Sequence, residues 1–416
     1  MNLARVNKRK IFNDPVYGFI PIESELTFDI IEQPCFQRLR RIKQLGLTHL
    51  VYPGALHTRF HHSMGAMYLM GQVIAALRNK GIGISDEETL SATIAILLHD
   101  IGHGPFSHSL EHSILDGINH EQISRLYMER LNEAFNGSLE EAISIFNNSH
   151  PKAFLHQLVS SQLDVDRMDY LRRDSFYTGV SEGVINTERI IKMLTIAGGK
   201  IAVEEKGIYS VEKYIIARRL MYWQVYLHKT VVAAESMLNQ ILKRAKFLAR
   251  QGEELFATPS FAYFLTHPCT LEDLKNNPDI LEIFSQLDDF DILTSVKVWT
   301  KHHDKVLSML SEALINRHLF RTELSNIPAE PERIQEMILS VCHVTGLTAE
   351  EAAHFVIHGS SANYAYHPKS DKINIVYKNG DVVDIARASE QLNISVLLKN
   401  ITKYFICAPK WIPEMN

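Results

Sequence analysis

A mainly α fold with a small mixed α/β C-terminal region is predicted by three observations. Apolar residues recur every three or four positions over long stretches between residues 36 and 250. Ser85 with Glu88 three residues later forms a helix-start signature just before an apolar run. Strand signals gather near the end of the chain, around Asn379-Gly380.

The elements follow in order. Residues 10–24 carry Asp14-Pro15, Gly18 and the β-branched Ile20-Pro21-Ile22, which predicts a short strand or arm. Residues 36–46 have helical apolar spacing, with Gly46 suited to a helix end. Over 60–78, His62, Ala66, Leu69, Val73 and Ala76 share one helical face. The helix opened by Ser85 carries Leu90, Ile94, Leu97 and Leu98, then His99 and Asp100, and should break at Gly102, Gly104 and Pro105. A third helix is expected over 153–173, aligning Asp166, Asp169, Tyr170 and Arg173. Two strands are expected at 200–203 and 207–210, then one long helix over 211–250. Helices continue to about residue 357, followed by a hairpin of 373–377 with 382–385 and a last strand at 404–407. The expected division is a core over 1–255 with an N-terminal extended arm, and a helical region over 256–416 packed on it.

Composition narrows the function. The chain has 416 residues, 46% hydrophobic and 22% charged, enough for a sizeable core. A net charge of −5 does not indicate a nucleic-acid polymer as partner. Local basic residues must therefore meet any anionic ligand. The four cysteines include no Cys-x-x-Cys pair, which disfavours a zinc knuckle or disulfide framework. No apolar stretch reaches membrane-spanning length, and the basic N-terminus lacks the apolar core of a signal peptide. A cytoplasmic protein is expected.

The chemistry concentrates in a few residues. His99 and Asp100, with His62 upstream and Asp166 downstream, form a nitrogen and oxygen donor set suited to a divalent transition metal. A His-Asp pair alone is weak evidence. Here His99, Asp100, His103 and His108 fall within ten residues around a Gly-Pro break, a density that packing explains poorly. His62 by itself could be a core histidine bonded to a carbonyl. Asp164 competes with Asp166, and periodicity favours Asp166; a solvated acidic face pairing with Arg167, Arg172 and Arg173 is the plainer alternative. His61 points elsewhere on the helix. His108, Glu111 and His120 make a candidate acid/base relay, set against an ordinary polar surface helix. Arg59, Arg218 and Lys229 are candidate phosphate contacts. No Gly-x-x-x-x-Gly-Lys loop or strand-borne Gly-x-Gly-x-x-Gly is present, which disfavours P-loop and Rossmann sites.

Together these motifs resemble the HD-domain phosphohydrolases. More narrowly, they are similar to the dNTP triphosphohydrolases of the SAM-and-HD-domain type. The likeness covers roughly residues 10–235, through Asn13-Asp14-Pro15, Phe36-Gln37-Arg38-Leu39-Arg40, Pro53-Gly54-Ala55, Arg59-Phe60-His61-His62-Ser63, the 99–108 run, 164–174 and Tyr226-Leu227-His228-Lys229. Without room for the separate SAM domain, a bacterial-type relative lacking it is expected.

The resemblance implies an HD-domain helical fold. It implies His62, His99, Asp100 and Asp166 as ligands of Fe, Mn, Zn or Ni, with Mg²⁺ on the substrate phosphates. It implies His108 as the catalytic histidine, supported by Glu111 and His120, where Glu111 stands in for a usual Asp. Arg59, His103, Arg167 and Arg218 would hold the triphosphate. Gln44, Leu45, Tyr170 and Asp174 would surround the deoxyribose, and Tyr226 and Leu227 would lie near the base. Lys10, Gln37 and Arg40, with Glu32 replacing an expected Asp, match parts of an activator-nucleotide site between subunits. A homodimer or homotetramer is implied.

The expected reaction is dNTP plus water giving deoxynucleoside plus triphosphate. The rivals are another phosphohydrolase on this scaffold, acting on nucleotides, cyclic nucleotides or ppGpp, and a nucleotide-sensing module with little turnover.

Overall fold

The N-terminal segment folds back on itself. In the computed structural model, which describes residues 10–107, 114–115, 117–363, 372–389 and 401–412, β1 (Ile11–Asp14) and β2 (Gly18–Pro21) form an antiparallel hairpin. Asp14 stabilises its turn by accepting the N–H groups of Val16 and Tyr17. Two short helices follow, α1 (Glu25–Ile31) and α2 (Pro34–Gln37).

The helix expected over 36–46 is not continuous. A 3-10 turn over 38–41 ends at an extended Ile42, and Gly46 opens a second 3-10 turn instead of closing a helix. Tertiary pairing overrides the local pattern here. Lys43 bridges Thr58, with Gln44 N–H on the His57 carbonyl at 3.0 Å and Arg59 N–H on the Ile42 carbonyl at 2.9 Å.

The helical heart is α3 (Arg59–Asn79), α4 (Asp86–Leu98), α5 (His120–Ala134), α6 (Glu140–Phe146), α7 (Ala153–Val159) and α8 (Val165–Thr178). The capping box opens α4 as expected: Ser85 accepts the Glu88 N–H while Glu88 accepts the Ser85 N–H. α4 stops at Leu98, just before the His-Asp pair. The expected 153–173 helix is interrupted between α7 and α8. Asp164 accepts the N–H groups of Ser161 and Arg167, a local bonding pattern that competes with helix and restarts it.

Three further expectations need correction. The strand pair expected near residue 200 is β3 (Leu194–Ala197) with β4 (Lys200–Glu204), turning at Gly198-Gly199 after α9 (Thr187–Met193), whereas residues 208–210 already belong to a helix. A Gly-Gly turn favours the tight hairpin over the longer connection. The long helix over 211–250 is two, α10 (Ile208–Met221) and α11 (Lys229–Arg250), separated by a π-turn at Tyr222–Tyr226. His228 accepts the Thr230 N–H and so caps the second. Finally, the helical stretch before residue 357 includes β5 (Arg321–Ser325).

A strand at 357–363, pairing along the last strand, was not expected either, whereas the hairpin and the last strand fall where expected. β6 (Ile357–Asn363), β7 (Asn374–Val376), β8 (Val382–Asp384) and β9 (Ile401–Ala408) complete two sheets, β3-β4-β7-β8 and β5-β9-β6. β7 pairs in parallel with β4, stitching the end of the chain to its middle. Apolar side chains from both stretches form one core, from Phe60, Leu97 and Val165 through Met237 to Phe284 and Val296. Among the described residues, no helix is long and apolar enough to cross a membrane.

The turn after α4 lies hard against α5. Ser124 Oγ accepts the Gly102 N–H at 2.9 Å and donates to the His99 carbonyl at 2.8 Å. A Cβ on residue 102 would lie 2.2 Å from the His120 carbonyl oxygen and 2.4 Å from the Ser124 nitrogen. Gly102→Ala should therefore cost about 1–3 kcal/mol by overpacking. Ser85→Ala, which loses only a cap, should cost about 1 kcal/mol. Denaturant unfolding of both variants checks this order, and an unchanged midpoint for Gly102→Ala would contradict it.

Candidate metal centre and adjoining cavity

Three helices converge on one cluster. His62 lies in the first turn of α3, His99 and Asp100 follow α4, and Asp166 lies in the first turn of α8. His62 Nε2 stands 3.1 Å from Asp166 Oδ1 and 3.6 Å from Asp100 Oδ2. His99 Nε2 stands 3.3 Å from Asp100 Oδ1 and 3.5 Å from Asp166 Oδ1. The two Nε2 atoms are 3.4 Å apart. Donors bound to one ion at roughly 2.0–2.2 Å have about this mutual spacing.

The donor set fits a metal on a second ground. Each imidazole has its other nitrogen committed. His62 Nδ1 bonds Asp169 Oδ2 at 2.8 Å, and His99 Nδ1 bonds the Ile96 carbonyl at 2.6 Å. Both Nε2 lone pairs are thereby aimed at one point, the arrangement that orients metal-binding histidines. The choice between the two aspartates resolves in favour of Asp166. Asp164 is buried in the cap of α8 and pairs with Arg167 at 2.5 Å. His61 is not a competing ligand, because its Nδ1 accepts the Thr58 N–H in the cap of α3.

Behind the cluster runs a buried charge chain. Arg173 grips both oxygens of Asp169 at 2.9 and 3.0 Å and reaches Asp14 at 2.7 Å. Gly65 makes room for it: a Cβ there would lie 2.1 Å from both Arg173 Nη2 and Asp169 Oδ1. Sequence periodicity placed Asp169 and Arg173 on the face of Asp166 but did not assign them this orienting role. The i+3 spacing of Asp169 from a ligand was the available signal.

Electrostatics favour a cation at the centre. Burial opposes protonation of His62, but its bonds to Asp166 and Asp169 outweigh this and lift its imidazole to about 10. Burial likewise opposes protonation of His99, but the Asp100 charge and the bond to Asp166 outweigh it and raise that imidazole. Burial would raise Asp100, yet His99 and Arg59 hold it well below the usual carboxylate range. Without a metal, the site draws protons instead. Burial, with Arg59 and His120 nearby, pushes His103 well down, so it faces the cluster as neutral imidazole.

The cluster opens into a cavity of about 610 Å³, lined by Gln44, Leu45, Arg59, Asp100, His103, His120, Asp166, Arg167, Tyr170, Asp174, Arg218, Tyr226 and Leu227, among others. The ten residues that the resemblance places at the substrate thus line one space. His120 stacks on His103 at 3.8 Å. Arg59 bonds Asp100 and Ser107 Oγ. At the far end Asp174 accepts the Tyr226 hydroxyl at 2.7 Å and bonds His57 Nε2 at 2.7 Å. His57, buried and stacked on Tyr177, was not assigned a role from sequence, and neither was Tyr222. Gln44 Oε1 is buried without a hydrogen-bond partner, a polar group left for a ligand.

Other expected residues lie elsewhere. Lys229 begins α11 as an exposed residue and does not line the cavity. His108 and Glu111 lie outside the described residues. Gln37 accepts from Arg40 at 2.8 Å, Arg40 lies over Phe60 at 3.6 Å, and burial lowers the Arg40 guanidinium with Glu32 opposing only in part. Lys10 stands over Phe28 at 4.6 Å. None of these four lines the cavity.

Comparison with known proteins agrees with this site. A model of the HD domain matches residues 59–174, and one of the HD-associated region matches residues 185–254. The uncharacterized protein YwfO of Bacillus subtilis is 32% identical over 98% of this chain and 94% of its own. The crystal structure of a phosphohydrolase (BT4208) from Bacteroides thetaiotaomicron superposes with a TM-score of 0.93 at 55% identity, covering 96% of this chain and 99% of that one. The deoxynucleoside triphosphate triphosphohydrolase SAMHD1 of Gallus gallus is 32% identical over 57% of this chain and 45% of its own.

Two outcomes are expected. Because a cation must displace the proton from His62, metal affinity should rise with pH below about 10, by about tenfold per pH unit for each proton released. Metal titrations at pH 6, 7 and 8 read this slope, and a flat profile would contradict it. Asp169→Asn should weaken metal affinity about 10–100-fold by loosening His62. Elemental analysis of purified protein would contradict this by finding full metal content after dialysis against a chelator that also leaves the parent loaded.

Proposed function

Because this chain belongs to the HD-domain phosphohydrolases, we propose that it is a metal-dependent deoxynucleoside triphosphate triphosphohydrolase. The reaction is dNTP plus water to deoxynucleoside plus triphosphate. One observation carries the reading: the His/Asp cluster opens into a cavity with three arginines near it and a polar pocket at the other end. Its volume of about 610 Å³ lies in the range of small-molecule sites.

His62, His99, Asp100 and Asp166 would hold a divalent transition metal. When bound, such an ion activates water and neutralises charge on a phosphoryl group. The remaining work falls to the chain. Arg59, Arg167 and Arg218 bind the triphosphate oxygens, where guanidinium groups match phosphate geometry. Arg59 is the most constrained of them, held between Asp100 and Ser107. His103 faces the α-phosphate as a hydrogen-bond donor. Gln44, Tyr170 and Asp174 receive the deoxyribose. Asp174 is a rigid acceptor, because His57 and Tyr226 fix its two oxygens. Tyr226 and Leu227 border the base.

Water attacks the α-phosphorus and releases a proton to solvent as the bond to O5′ breaks. His108 gives a proton to O5′ of the leaving nucleoside, with Glu111 and His120 tuning it. Mg²⁺ accompanies the phosphates. Kinship with SAMHD1 of Gallus gallus supports this substrate class. The same kinship suggests that Lys10, Glu32, Gln37 and Arg40 receive an activating nucleotide in a dimer or tetramer.

The test is chromatography of reactions with each dNTP singly and with all four together, with Mn²⁺ or Mg²⁺, beside a His99→Ala control. Deoxynucleoside and intact triphosphate, absent from the control, are expected. A rate that appears only in the mixture would mark activation. Orthophosphate or pyrophosphate as the released product would instead point to another phosphohydrolase reaction at this site. Tight dNTP binding without product under any metal would point to a sensor.

A further inference from the structure

The C-terminal region braces, from behind, segments that wall the cavity. Three consecutive residues, Leu287, Asp288 and Asp289, precede or begin the helix Asp289–Trp299. All three hold segments of the site. The Leu287 carbonyl accepts from Arg38 at 3.1 Å, and Asp288 pairs with Arg41. Asp289 Oδ1 accepts the Phe106 N–H at 2.8 Å, and Oδ2 accepts the Lys43 N–H at 2.9 Å.

Arg38 extends this grip to the turn that follows the His-Asp pair. It is fully buried, and its Nη2 donates to the carbonyls of Ile101 and His103, both at 2.9 Å. One guanidinium thus spans the C-terminal region and the backbone that carries Asp100 and His103.

The two backbone groups held by Asp289 are not ordinary ones. Phe106 and Ser107 are consecutive non-glycine residues in the left-handed region, each with φ 55°. Such a conformation persists only where its surroundings over-determine it. Lys43 lies in the short pairing with Thr58 that sets Gln44 against His57 and leads into Arg59. The two segments also meet directly: Ser107 Oγ accepts from Arg59 Nε at 2.8 Å and donates to the Lys43 carbonyl at 3.1 Å. Asp289 is 2% exposed and lies behind this junction, away from the cavity lining.

We propose that Asp289 is a positioning residue for the reaction at this site, a clamp by which the C-terminal region sets Arg59, Ser107 and Gln44 in place. The inference rests on the reaction proposed above. Each carboxylate oxygen serves one donor, so an amide cannot replace it. In Asp289→Asn, one N–H would keep an acceptor while the other would face an NH₂ group.

The test uses the full chain loaded with metal, in the variants Asp289→Asn and Asp289→Leu. Asp304→Asn is the control, since Asp304, also of the C-terminal region, pairs with Arg244 of α11 and does not line the cavity. Three quantities are read: metal content, kcat and KM per bound metal with dNTPs, and hydrogen exchange of peptides covering 42–45 and 104–107. Metal content should be kept in all variants, because the four donors stand on other segments. In Asp289→Asn, kcat should fall up to about 100-fold with KM changed much less, the pattern of displaced groups around a reacting centre. Asp289→Leu should fall further. Exchange should quicken in both peptides, whereas Asp304→Asn should alter melting alone.

A kcat for Asp289→Asn within about twofold of the parent, the range of an ordinary substitution, with exchange unchanged, would overturn the clamp. Asp289→Asn keeps the shape of the native side chain, so it decides the matter if Asp289→Leu fails to fold. A parent protein inactive on every dNTP would overturn the reaction, and the exchange measurement alone would then decide the clamp.

Discussion

Asp169 is the hinge of the site's electrostatics. Its carboxylate is buried between His62 on one side and Arg173 on the other, and Arg173 in turn holds Asp14 of the N-terminal hairpin. A buried charge is costly unless it is paired and hydrogen-bonded on every side. Here the pairing runs through three segments distant in sequence. It fixes the rotation of the His62 ring, the packing of α3 on α8, and the docking of the hairpin. The glycine at position 65 belongs to the same constraint, since any side chain there would occupy the space of the Asp169–Arg173 pair. The N-terminal arm is therefore a structural part of the metal centre even though it offers no ligand.

In front of Asp169 the charges are arranged for an exchange of partners. Arg59 lies against Asp100 and Arg167 against Asp164. Both guanidinium groups border the cavity, where the phosphates of a substrate would compete for them. A cation among the four donors would offset the Asp100 carboxylate that now holds Arg59, freeing part of its attraction for an anion. Metal and anionic substrate would then support each other through a shared set of charges, as expected where opposite charges meet in a site of low dielectric. The Asp174 end of the cavity works differently. Asp174 is already satisfied by His57 and Tyr226, so it offers a fixed direction instead of an unpaired charge.

The C-terminal half takes part through backbone geometry. It supplies none of the four donor side chains, yet Leu287, Asp288 and Asp289 grip the segments 38–43 and 101–107. The parallel pairing of β7 with β4 anchors the same half at a second place. A division at residue 255 describes the order of elements along the chain. The core and the hydrogen bonds run across it.

Much of the site was legible in the sequence because its chemistry is concentrated in side-chain type and local spacing. The His-Asp pair, its helix-end position, the preference for Asp166 over Asp164 and the capping box at Ser85 all follow from interactions within a few residues. So do the C-terminal hairpin and the apolar faces of α3 and α4. What went astray was continuity. The stretches 36–46, 153–173 and 211–250 have helical periodicity, but periodicity does not register a bridge between Lys43 and Thr58, a cap supplied by Asp164, or a π-turn at Tyr222–Tyr226. The His62 partner of Asp169 and the partners of Asp174 and Asp289 were equally out of reach, since these lie far away in the chain. By itself, then, the sequence determined which donors exist and which helices carry them, through short-range propensity and residue chemistry. Only the tertiary structure decided how those donors are aimed, because the buried polar groups that aim them find their partners through packing between segments distant in sequence.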